Sequence, residues 1–181
     1  MKIKCFFVQS LGVIFLLRLL VASPGLASQP LIQTALADPT ITAGDEFLLS
    51  VLLDLDDALS SGGYIDLVYD PNVLECVKVQ NFNIFGGMKS DSCAVDSGIL
   101  RMTSRTASLF HVRTFLLLET YAIVTFRAKQ VAASTAIEFA DTSQIFGVGG
   151  GNILVERDDS ATLHITTVEP SEPASFLLWS R

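Results

Sequence analysis

The side chains best suited to chemistry are few in this chain. His111 and His164 are the only histidines among 181 residues. Both sit in strand-like stretches, and neither has a serine, cysteine or carboxylate placed around it as nucleophilic catalysis would need. A histidine in that setting is an ordinary strand residue. Asp54, Asp56 and Asp57, and separately Asp158 and Asp159, offer carboxylate oxygens to a cation such as structural calcium. Neither cluster has the spacing of an EF-hand loop, and acidic turn residues are ordinarily just solvated. The run Gly147-Val148-Gly149-Gly150-Gly151 is glycine-rich like a phosphate loop. No Lys-Ser/Thr pair and no helix follow it, so a hairpin turn is the better reading. No pair of carboxylates can be singled out for glycoside hydrolysis. These residues call for no cofactor and no metal, and they point away from an enzyme.

If the chain is not catalytic, its elements must serve recognition. The segment Phe47 to Leu53 is an apolar run. Ile65, Leu67 and Tyr69 alternate with Asp66 and Val68, and Ala122, Val124 and Phe126 alternate with Ile123, Thr125 and Arg127. Ile137/Phe139 and Leu163/Ile165 keep the same period of two, which is that of a half-buried strand. Turn residues punctuate these runs at Thr42–Asp45, Ser60–Gly63, Asp70–Asn72, Phe85–Gly87, Asp96–Gly98 and Gly147–Asn152. Only Thr114–Tyr121 is ambiguous, with Leu116–Leu118 readable as strand or as one helical turn. Short strands at this spacing predict an all-β sandwich or barrel.

The ends of the chain read differently. Met1 to Lys4 is a short basic segment, and Cys5 to Leu17 is apolar but for Gln9, Ser10 and Gly12. Small residues then precede a cut after Ala27. That is the pattern of a secretory signal peptide over residues 1–27, with an uncleaved anchor as the alternative. Either places the domain outside the cytoplasm, secreted or periplasmic. Residues 28–36 read as a linker, 37–167 as the domain and 168–181 as a tail rich in Pro, Glu and Ser. Lys2, Lys4 and Arg18 belong to the first segment. The remaining nine basic side chains face all nineteen acidic ones, a balance of −10. Such a domain repels nucleic acid and anionic membrane, and a basic, neutral or cation-bearing partner suits it better. Once the leader is set aside, Cys76 and Cys93 are the two remaining cysteines. They can pair in an oxidising compartment, or Cys76 can be a buried thiol in an apolar run.

Three blocks in order resemble the cohesin family: Ile41-Thr42-Ala43-Gly44-Asp45-Glu46-Phe47, then Tyr64 to Glu75 with its Tyr69-Asp70-Pro71-Asn72-Val73-Leu74 corner, then Ala122 to Lys129. The resemblance runs from about Ala37 to Thr167. It implies a cohesin-like jelly-roll β-sandwich of about nine strands. The corner itself concerns architecture: Tyr69 faces inward, Asp70 accepts local hydrogen bonds, and Pro71 turns the chain. Cohesins of cellulase assemblies bind dockerins through a sheet face that includes the strand before this corner. In the best-known branch, an Asn and an Asp stand where this chain has Gly62 and Tyr64. The outward set here is Tyr64, Asp66 and Val68, joined by Tyr121, Ile123, Thr125 and Arg127 from the late strand.

The resemblance thus implies an exported binding module with a protein partner, a dockerin-like module being one candidate. Family-3 carbohydrate-binding modules share the sandwich, so the alternative is a polysaccharide-binding module or extracellular-matrix component, its ligand held by exposed aromatics such as Tyr64, Tyr121 and Phe82. Val168 to Trp179 resembles the front of a bacterial Pro-Glu-Pro sorting signal, without a membrane-spanning length, and that implies a Gram-negative source.

Overall fold

The computed structural model describes residues 29–93, 97–107, 112–115, 117–158 and 160–167. The signal segment, the tail, His111, Leu116 and Asp159 lie outside the described residues. The order of elements is β1 (Leu31–Leu36), β2 (Thr40–Thr42), β3 (Glu46–Asp54), β4 (Ser60–Tyr69), β5 (Leu74–Asn81) and β6 (Lys89–Asp91). There follow β7 (Ile99–Arg105), β8 (Glu119–Ala128), β9 (Ala132–Phe139), β10 (Gln144–Gly147), β11 (Glu156–Asp158) and β12 (Ala161–Thr166). No helix occurs among the described residues. The ambiguous stretch before β8 is irregular at Leu117 and Leu118, both exposed. Twelve strands exceed the nine expected because β2, β6 and β11 are three-residue edge pieces. Pieces that short carry too few alternating positions to show a period in the sequence.

The strands form two sheets. A five-stranded sheet has the order β11-β1-β3-β8-β5, and a seven-stranded sheet has the order β2-β12-β9-β4-β7-β6 with β10 also paired to β4. Alternation decides which side chains meet between them. Leu49, Val51 and Leu53 of β3 and Val124 and Phe126 of β8 face Ile65 and Leu67 of β4 and Leu100 and Met102 of β7, all buried. Burying each such side chain contributes about 1.5–3 kcal/mol relative to leaving it in water. Tyr69 sets its ring edge-on to Phe126, 5.1 Å between centroids, and Phe126 in turn stacks on Phe47 at 5.8 Å.

The corner after β4 holds as its residues predict. Asp70 Oδ1 accepts from Asn72 N at 2.9 Å, and the Asp70 carbonyl accepts from the amides of Val73 and Leu74. Lys129 Nζ donates to the Pro71 carbonyl at 2.7 Å, tying the corner to the end of β8. Gly98 packs against it with φ +65, where a Cβ would lie 2.8 Å from the Tyr69 carbonyl oxygen. Only glycine fits there. A disulfide joins Cys76 of β5 to Cys93, with 5.4 Å between their Cα atoms, and closes the excursion that carries β6.

Candidate functional site

Strand β4 is central to the seven-stranded sheet, and its Tyr64, Asp66 and Val68 face outward. Along one side it pairs with β7, which places Tyr64 opposite Thr103, Asp66 opposite Arg101 and Val68 opposite Ile99. Along the other side it meets β10 at Tyr64 and β9 at Val68. Between them the turn 140–143 leaves the ladder, and one side chain and one backbone amide complete it at Asp66. The Asp66 amide donates to Ser143 Oγ at 3.0 Å, and the Ala140 amide donates to the Asp66 carbonyl at 2.9 Å.

Arg101 grips the Asp66 carboxylate with two hydrogen bonds, Nε to Oδ1 at 2.7 Å and Nη2 to Oδ2 at 2.6 Å, and Thr142 Oγ1 donates to Oδ2 at 2.6 Å. Asp66 is only 1% exposed as a result. Burial by itself raises its pKa, but the hydrogen bonds from Arg101 and Thr142 and the Arg101 charge outweigh it. The carboxyl is held below its ordinary value. Arg101 also lies 4.5 Å above the Tyr64 ring, Tyr64 meets Phe146 of β10 edge-on at 5.7 Å, and Arg105 lies 5.0 Å over Phe146. A row of cation, ring, ring and cation therefore crosses this face. Beside it stand Val68 and Ile99, 38% and 51% exposed.

The seven residues expected to face outward do not form one surface. Tyr64 and Val68 stand on the outer face of the seven-stranded sheet as predicted. Asp66 belongs to that face too but is sealed beneath Arg101, so its carboxylate is already taken. Ile123, Thr125 and Arg127 are on β8, in the other sheet, and point away on the far side of the sandwich. Arg127 there bridges Glu46 and Glu75. Tyr121 is fully buried. A bulge explains it: Val51 pairs with Ala122 and Leu52 with Thr120, so Tyr121 is the extra residue. The extra residue breaks the alternation and turns the ring into the core. Its hydroxyl lies 3.2 Å from the Gly63 carbonyl and 3.3 Å from that of Met102, and burial raises its pKa.

Sequence reasoning missed Arg101, Arg105 and Phe146. The first two were legible, because Leu100, Met102 and Ser104 alternate inward with Arg101, Thr103 and Arg105 outward. Phe146 had no such pattern, since β10 spans only four residues before the glycine turn. That turn closes through Gly150 N to the Gly147 carbonyl and Gly147 N to the Gly151 carbonyl.

The other candidate groups are dispersed. His164 Nδ1 is 2.6 Å from the Ala133 carbonyl on an exposed strand. Asp54, Asp56 and Asp57 each accept from a different donor: the Asp56 amide, the Gln29 amide and Thr114 Oγ1. Among the described residues, no three His, Cys, Asp or Glu side chains converge as a metal site would require.

No family model matches the sequence, and no curated protein does. Solved structures do match in fold. The seventh ScaB type I cohesin from Pseudobacteroides cellulosolvens superimposes with a TM-score of 0.62 at 14% identity, over 80% of this chain and 97% of that one. A type I cohesin–dockerin complex from Clostridium thermocellum contains a chain matching at 0.62 and 13%, over 78% and 96%. The second type II cohesin module of the ScaA scaffoldin from Acetivibrio cellulolyticus matches at 0.62 and 16%, over 83% and 97%. At such identities the likeness establishes the fold, a cohesin-like β-sandwich.

Proposed function

We propose that this chain is a non-catalytic protein-binding module that acts outside the cytoplasm and docks its partner on the outer face of the seven-stranded sheet. The observation that carries this reading is the row Arg101, Tyr64, Phe146 and Arg105 beside exposed Val68 and Ile99. Tyr, Phe and Arg are enriched in interface cores, and the anchors with the largest effect are often Tyr and Arg. Mutual contacts hold these side chains in place before binding, which lowers the ordering cost of association. The solved dockerin complex of a similarly folded cohesin makes a dockerin-like module one candidate partner.

A polysaccharide ligand has less support. Of its three aromatics, Tyr121 is in the core, Tyr64 is on one sheet, and Phe82 follows the end of β5 in the other. They cannot line one stripe.

The test is affinity capture of exported proteins from the source organism by the wild type and two double variants. Capture should be lost with Tyr64→Ala plus Phe146→Ala and kept with Ile123→Ala plus Arg127→Ala on the opposite side. The reverse pattern would place the interface on the five-stranded sheet and sink this reading.

A further inference from the structure

We infer that the end of this face holds a subsite for one carboxylate side chain, Asp or Glu, of the protein partner, with Arg105 as its receptor. The inference rests on the docking face proposed above and names the chemistry that face recognises. A pocket of about 210 Å³ opens beside Arg105, lined also by Ser61, Thr106, Phe146 and Gly150. Small-molecule sites commonly occupy roughly 300–1,000 Å³, so this one suits a single side chain.

The hydrogen-bonding groups of the pocket select what enters. Thr106 Oγ1 donates to the Ser61 carbonyl at 3.2 Å, Ser61 Oγ to the Phe146 carbonyl at 3.4 Å, and the Gly150 amide to the Gly147 carbonyl. The guanidinium of Arg105 differs, because among the described residues no carboxylate pairs with it. Its five N–H groups donate and cannot accept, and their fork matches a carboxylate in two-point contact. Arg101 shows that geometry a few residues away, with Asp66 in the acceptor's place. Arg101 is thereby neutralised, while Arg105, in the same row, has no carboxylate against it among the described residues. Phe146 supplies an apolar wall for the methylene stem of the incoming side chain.

The net charge of the domain pointed to a basic or neutral partner, but charge at this contact is the opposite of the average. An anionic polysaccharide fits the geometry poorly. Tyr64 and Phe146 meet at 65°, so they form no flat platform for sugar rings.

The experiment is an NMR titration of the full chain labelled with 15N, needing no partner. The probes are N-acetyl-glutamate α-amide, its neutral glutamine counterpart and a galacturonate oligomer, each to about 50 mM, a range that reaches weak single contacts. The glutamate probe should give saturable shifts at Arg105 Nε–H and at the Thr106 and Gly150 amides. The glutamine probe and the oligomer should not. Arg105→Gln should weaken the response by about tenfold or more, and Arg105→Lys should weaken it less. Equal shifts with the glutamine probe, uniform shifts at every arginine, no shift at all, or a response to the oligomer alone would each overturn the inference. Because capture through Tyr64 and Phe146 is read separately, a silent titration with capture intact removes this subsite and leaves the docking face standing.

Discussion

Replacing Arg101 with Ala tests whether the Asp66 pair organises this face. Two charge-assisted hydrogen bonds are lost, at 2.6 and 2.7 Å, from a carboxylate that is 1% exposed. Removing one partner of a fully buried pair costs about 3–5 kcal/mol. Here the Arg101 side chain is itself 57% exposed, so its truncation admits water to Asp66, and Thr142 keeps its hydrogen bond. The expected loss is therefore smaller, about 2 kcal/mol, close to the worth of one hydrogen bond to a charged group.

The pH dependence of that loss has a definite sign. Asp66 is depressed in the folded state below its ordinary value of about 3.9, so its pairing contributes stability that is complete above that value. It is lost as pH falls through the lower folded value. Urea unfolding of the wild type and Arg101→Ala at pH 7 and then at stepwise lower pH should show the gap narrowing below about pH 4. A gap under about 0.5 kcal/mol at pH 7, or one that stays constant to acid, would refute the reasoning.

Two further outcomes concern the framework. Leu67→Ala, at a fully buried position of β4, should cost about 2–5 kcal/mol in the same unfolding assay, while Val68→Ala next to it should cost well under half as much. Equal costs would mean that the two faces of β4 are misassigned. Cys76→Ser with Cys93→Ser opens a disulfide spanning 17 residues and should lower stability by roughly 3 kcal/mol in the chain-entropy model. An unchanged urea midpoint would show that the crosslink adds nothing to stability.

Local chemistry was legible from the sequence alone. The alternation of Ile65, Leu67 and Tyr69 and the Tyr69-Asp70-Pro71 corner announced an inward-facing strand that ends in a turn, because side-chain period and turn dihedrals depend on adjacent residues. The glycine-rich turn after β10 was legible for the same reason. Tyr64 and Val68 could be placed outward on that basis, and Arg101 and Arg105 would have followed from the alternation of β7. Which strands share a face is a different matter, decided by pairings between residues far apart in the chain. Arg127 reads outward by its period, yet β8 lies in the opposite sheet and carries it to the far side. Asp66 also reads outward, but Arg101, 35 residues on, and Thr142, 76 residues on, close over it. Tyr121 reads outward too until the register of β3 against β8 inserts one extra residue and turns the ring inward. Alternation assigns a side chain to one of two faces, while only the paired strands decide what each face meets, whether water, the core or a neutralising charge.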